Sequence, residues 1–343
     1  MSTSLRRRAF LLGTGAMLTS LTGCGGCRGR EYPGAFTSPE EGELLLVQAA
    51  QREQHIAALL AAPLEIPSRV KTPSRPVEVL KQFPELRTLQ RLTHRLHPVP
   101  ADDLKPTESN LGGALVWGSS EPPPMCEEHR LPYQQILLLN ADDAPSQLKF
   151  PQGKDVLHLL WCARPHGAQG LPKPHLAWHK TGDLAPSSAE KFEQYTRSHW
   201  RPVPCRLRPE AVLEFPDWNT AKVTPFRDKL LAWKPPGGGD PIEYYRTHLS
   251  AAPGCKVGGY PRWASETAVS ASCGTCRRGM DYLLSLDSRE WDTPSWNAPA
   301  DDALRTAWGK LDGVAGLRFD PQPRMHLFIC RRCVSQPIAL ING

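Results

Sequence analysis

The 343-residue chain reads as a mainly β protein of the α+β class, internally duplicated, with a helix near its N-terminus. Three observations predict this. There are 35 prolines, which leave little room for long helices. Apolar residues fall in many short runs rather than at helical spacing. Two stretches of the chain also match each other block by block.

The first element is an export signal, residues 1–23. Three arginines precede an apolar run of about a dozen residues, too short to span a bilayer as a helix of a folded protein. Arg7-Arg8-Ala9-Phe10-Leu11 resembles the twin-arginine motif, departing from it at Arg6, where Ser or Thr is usual, and at Leu12, where Lys is usual. Leu21-Thr22-Gly23-Cys24 resembles a bacterial lipobox, which makes Cys24 the lipidated residue and the membrane a partner through that lipid. The protein is then expected to face the periplasm or exterior. An uncleaved membrane helix and a general secretory signal are the bland alternatives. Residues 24–40 read as a tether containing Gly, Pro and Ser, in which Cys27 has no assigned role.

Removing residues 1–23 takes three arginines and no acid, lowering the net charge from +6 to +3. That is too near neutral to argue for nucleic acid. Residues 41–104 form an N-terminal helical segment. Its clearest helix is 41–62, EGELLLVQAAQREQHIAALLAA, with apolar residues at three- and four-residue spacing until Pro63 ends the pattern.

The duplicated units follow at 105–205 and 206–343. LGGALVW at 111–117 matches VGGYPRW at 257–263, with Gly112, Gly113 and Trp117 on Gly258, Gly259 and Trp263. CEEHRLPYQQILLLN from Cys126 aligns without gaps on CGTCRRGMDYLLSLD from Cys273, and HLLWC at 158–162 aligns on HLFIC at 326–330. The offset grows from 146 to 147 to 168, so the second unit carries about twenty extra residues before its last block. Each unit reads as a glycine-pair turn, a ligand-bearing turn, an apolar strand, a loop and a strand ending at a cysteine. Alternation along the last strand puts Leu327 and Ile329 on one face and His326, Phe328 and Cys330 on the other.

At CKVGGYPRW, CGTCRRGMDYLLSLD and HLFICRRC, and more weakly at the matching blocks of the first unit, the chain resembles the YwqG-like proteins, a domain of unknown function. The resemblance covers roughly residues 105–340. It implies a mainly β, duplicated fold, often with zinc-ribbon-like cysteine pairs, and no established enzymatic activity. The chain departs from the family in its export signal, in Ala264 and Ser265 after the Trp, and in its weakened first unit.

Cys273, Cys276, Cys330 and Cys333 form two C-x-x-C turns 53 residues apart. Such turns aim sulfurs and backbone N–H groups inward, and two of them together give the four-thiolate sphere that zinc prefers. Structural zinc is the expected cofactor. Disulfides are the competing reading for an exported chain. A thiol-disulfide oxidoreductase is a third, but it lacks the usual helix after the motif, because MDYLLSLD reads as strand. Mapping the ligands back gives Cys126, His129 and Cys162 in the first unit, with His166 or Cys205 as the fourth candidate. With three protein ligands this cluster would be an open, hydrolytic zinc site; otherwise it is a decayed site kept for packing. Cys205 and Cys255 read as buried thiols or a disulfide.

His158 and His326 read as hydrogen-bonded or exposed strand histidines. PPGGGD at 235–240 lacks the Lys-Ser/Thr ending of a phosphate loop, and no G-x-S-x-G or H-E-x-x-H pattern occurs, so no catalytic residue is assigned. The function expected is binding of another macromolecule, such as a protein partner in immunity or envelope interaction.

Overall fold

The computed structural model describes residues 72, 77–118, 122–187, 198–264, 268–291, 313, 315–319 and 321–343, together with seven positions between 43 and 57. The export signal, Cys24 and Cys27 lie outside the described residues. Glu43, Leu44, Val47, Ala50, Gln51, Gln54 and Ala57 are all helical, as the spacing over 41–62 predicts, and all exposed. Among the described residues, no helix is long and apolar enough to cross a membrane.

The strands in chain order are β1 (Arg91–Arg95), β2 (Val99–Pro100), β3 (Asn110–Leu111), β4 (Val116–Gly118), β5 (Gln134–Asn140), β6 (Val156–His166), β7 (Leu171–His179), β8 (Leu184–Pro186), β9 (Cys205–Arg206), β10 (Glu210–Glu214), β11 (Lys256–Gly258), β12 (Asp281–Asp287), β13 (Arg324–Ile329) and β14 (Ile338–Asn342). They build a mainly β protein. Sheet I runs β2-β9-β3-β5-β6-β7, sheet II runs β10-β1-β11-β12-β13-β14, and β4 and β8 form a two-stranded ribbon.

The two sheets correspond place for place, and the match includes an exchange of strands. β1 sits between β10 and β11 of sheet II, while β9 sits between β2 and β3 of sheet I. β1 thus joins the sheet whose other strands come from residues 210–342, β9 joins the sheet whose other strands come from residues 99–179, and backbone bonds cross at the exchange, from Leu96 N to Cys255 O and from Arg208 N to Leu96 O, both 2.8 Å. The register shift between Gln135 and Leu137 in β5 recurs between Tyr282 and Leu284 in β12. The stretch from 91 to 100, at the end of the segment read from sequence as helical, is therefore β structure that belongs to both sheets.

Alternation decides which side chains meet. Leu157, Leu159, Trp161 and Ala163 of β6 share one buried core with Met325, Leu327 and Ile329 of β13, and Ile136, Leu137, Leu284 and Leu286 join it from β5 and β12. The opposite faces carry His158, Leu160 and Cys162 on β6 and His326 and Phe328 on β13, with Cys330 directly after the strand, the division the sequence predicts for HLFIC. Cys205 and Cys255 are both buried in this shared core.

A second core covers the far end of β10. There Val79, Phe83, Leu86, Phe215, Trp218, Tyr245 and Leu249 pack together. The helix Pro241–His248 that carries Tyr245 begins at Asp240, whose carboxylate accepts from Ile242 N at 2.9 Å, with Pro241 at its first position.

Candidate metal centres

Two turns of one shape open the sites. In the first, Arg130 N donates to Cys126 O at 2.7 Å and Cys126 N to Leu131 O at 2.8 Å, flanked by a bridge between Met125 and Pro132. In the second, Arg277 N donates to Cys273 O at 2.9 Å and Cys273 N to Arg278 O at 2.8 Å, flanked by a bridge between Ser272 and Gly279. Arg130 and Arg277 both take the left-handed conformation, at φ 54 and φ 60, which closes each turn back onto its strand.

Each turn meets the end of the strand two places on in sequence, β6 or β13. In sheet II, Cys273 Sγ lies 3.9 Å from Cys333 Sγ and Cys276 Sγ 3.6 Å from Cys330 Sγ. All four sulfurs lie within 4.8 Å of one another. A tetrahedral site with bonds of about 2.0–2.3 Å has donor–donor edges of about 3.3–3.8 Å, so the spacing fits a shared ion. It is well beyond the ~2.05 Å of a bonded sulfur pair.

The backbone N–H groups of Cys276 and Thr275 point at the Cys273 sulfur and hold its thiol down at about 6, against burial. Cys333 moves the other way, pushed up to about 12 by burial and by the three neighbouring sulfurs. Four thiols in one small space cannot all ionise without a cation among them.

The sheet I cluster is complete in the same sense. Cys126, His129, Cys162 and His166 offer four donor atoms within 4.8 Å of one another. Cys126 Sγ is 3.7 Å from His129 Nδ1 and 3.2 Å from His166 Nε2; Cys162 Sγ is 3.5 Å from His129 Nδ1; the two imidazole nitrogens are 3.1 Å apart. His166 Nδ1 lies 2.7 Å from Arg164 O, a contact that puts the proton on Nδ1 and leaves Nε2 as the donor to a metal. Burial holds the His166 imidazole below its usual range and pushes the Cys162 thiol well above its own.

His166, not Cys205, completes this cluster. The register shift between Cys162 and His166 at the end of β6 carries the histidine back over the turn, although sequence alignment sets it one position past Cys333. Cys205 instead pairs through its backbone with Leu111 inside sheet I and turns into the shared core. Both clusters are therefore able to hold a metal ion with four protein donors.

Next to each cluster stands the repeated histidine. His326 is fully buried and both ring nitrogens have partners, Ser285 Oγ at 2.6 Å on Nδ1 and Arg262 O at 2.9 Å on Nε2. His158 is equally buried, but among the described residues neither ring nitrogen meets a hydrogen-bond partner, and Leu138 occupies the place of Ser285. Burial holds both imidazoles down at about 3, so each stays neutral. Trp117, at 5.7 Å between ring centroids, and His179, at 5.5 Å, surround His158 with rings instead. The Ser285→Ala variant should lose about 1–3 kcal/mol, the cost of leaving a buried ring nitrogen unmet, measurable as a lower urea midpoint with unchanged slope.

Compared with known proteins, the chain matches no family model and no curated sequence.

Proposed function

We propose that the protein is a lipid-anchored envelope protein whose two sheets are each pinned by a structural zinc ion, and that it works by binding a macromolecular partner rather than by catalysis. The observation that carries this reading is that both clusters offer four protein donors at tetrahedral spacing. Thiolate and imidazole donors in that geometry suit zinc, and a sphere filled by protein leaves no position for water or substrate. The exported setting rests on the arginine-apolar-cysteine pattern of residues 6–24, and the likeness to YwqG-like proteins on the residues quoted above.

The closed sphere weighs against a hydrolase at Cys126, His129, Cys162 and His166, because a hydrolytic zinc keeps one position open. It also weighs against an oxidoreductase, since each C-x-x-C shares its sulfurs with the other pair. Metal per chain, counted by mass spectrometry on protein purified without added metal, should be two zinc ions. His129→Ala should lower the count to one, with the fold retained by circular dichroism. A metal-free parent whose knuckle cysteines pair under mild oxidant would overturn the reading. A His129→Ala variant that keeps both ions would remove the sheet I site from it.

A further inference from the structure

The two clusters share a backbone frame but not a surface. Around the sheet II sulfurs stand Arg277, Arg278, Arg331 and Arg332, each within two residues of a candidate ligand. Arg277, Arg278 and Arg332 are exposed, and among the described residues none of the four arginines forms an ion pair. Arg331 reaches across to Lys149 O at 3.2 Å, which brings an exposed lysine to the same rim. No aspartate or glutamate occurs in 268–280 or in 321–343. Exposed Asp281, opposite Ile329, borders the rim, yet the four arginines and Lys149 outnumber it together with the two negative charges of a zinc tetrathiolate.

The apolar part is equally specific. Val334, directly after Cys333, is 104% exposed, as open as a side chain can be, and Val269 beside the other turn is 46% exposed. The matching turn of sheet I has Glu127 and Glu128 between its ligands where sheet II has Gly274 and Thr275. The turn geometry is the same in both, so the fold and the metal donors do not require this basic, apolar rim.

We propose that the rim of the Cys273, Cys276, Cys330 and Cys333 cluster docks on an anionic phospholipid surface, with the arginines on headgroup phosphates and Val334 entering the interface. Cations flanking a protruding apolar residue suit the boundary between headgroups and acyl chains. Single-stranded nucleic acid calls for aromatic stacking platforms as well as charge, and neither turn carries an aromatic residue. The inference takes its setting from the lipid-anchor reading, because a lipid at Cys24 would hold the domain beside a bilayer. It does not depend on that lipid for its chemistry.

The test uses the full chain carrying Cys24→Ser, so that no lipid is attached, floated with phosphatidylcholine vesicles with and without phosphatidylglycerol. The double variant Arg278→Ser with Arg332→Ser keeps the same N-terminus, so comparison with its parent reads the rim alone. Two arginines at an anionic surface are together worth about 25-fold in partitioning. The double variant should lose that factor on phosphatidylglycerol vesicles and change little on phosphatidylcholine. Val334→Ser should weaken binding further on the anionic vesicles. Zinc per chain, counted on the same samples, separates loss of the metal site from loss of the surface. Parent and double variant partitioning equally onto anionic vesicles would overturn the proposal, as would an arginine effect confined to binding of DNA or of an acidic peptide.

Discussion

Cys273→Ser should abolish metal binding in sheet II and lower the melting temperature by about 10–20 °C. Its sulfur is one of four donors that tie the turn before β12 to the end of β13. β12 and β13 pair along their length, and their inner faces supply Leu284, Leu286, Met325, Leu327 and Ile329 to the core shared by both sheets. Loosening that end therefore reaches the core directly. Structural zinc is worth about 10–16 kcal/mol of apparent binding free energy in small zinc peptides. A domain with a large core depends on it less, and a loss of about 5 kcal/mol converts to the stated shift at about 2–4 °C per kcal/mol.

Chelator supplies the internal control. The parent should lose stability with a strong chelator, whereas Cys273→Ser, already lacking that ion, should respond less. Cys205→Ser should keep both ions, because Cys205 lies in the shared core away from either cluster. Thermal melts of the three proteins with and without chelator decide the matter. Equal chelator response in the parent and in Cys273→Ser would show that this cysteine holds no stabilising metal.

The sequence makes some of this legible because ligands and core residues obey short-range rules. C-x-x-C spacing places Cys273 with Cys276 and Cys330 with Cys333, and alternation in HLFIC assigns Leu327 and Ile329 to the core. The aligned blocks also bring His129 and Cys162 to one cluster. The strand exchange was not legible, because β2 and β9 are two residues long and β1 and β10 only five, with no apolar run to mark them. Their partners lie from 94 residues away (Leu111 and Cys205) to 165 (Thr93 and Gly258), and pairing at that distance leaves no local signal. His166 escaped a firm assignment because the register of β6 on β7 shifts between Cys162, opposite Lys173, and His166, opposite Leu171, which spacing alone cannot reveal. The unlike fates of His158 and His326 depend on Leu138 and Ser285, residues on a neighbouring strand.

Glu214→Ala should cost about 3–5 kcal/mol without changing the metal content. Glu214 ends β10, the edge strand of sheet II, and is fully buried. Its carboxylate accepts from Lys256 Nζ at 2.8 and 2.9 Å, from Ala252 N at 2.7 Å and from Tyr260 N at 2.5 Å. The glycine pair of VGGYPRW has its reason here: Gly259 sits at φ +73, and a Cβ on it would overlap this carboxylate. Removing the carboxylate strands a buried ammonium and two N–H groups, and breaking a buried pair from one side costs about that much. Lys256→Met should be milder, because the carboxylate keeps its two backbone donors. The pH response gives a second readout. Burial, opposed by Glu214, holds the Lys256 ammonium down at about 8; without Glu214 it falls further. Between that lowered value and the ordinary lysine range the unfolded chain binds more protons than the folded one, so the stability of Glu214→Ala should rise as pH increases above neutral. A Glu214→Ala variant within 1 kcal/mol of its parent at neutral pH, with no rise at alkaline pH, would mean that water reaches Lys256 and that the pair does not hold β10 to the sheet.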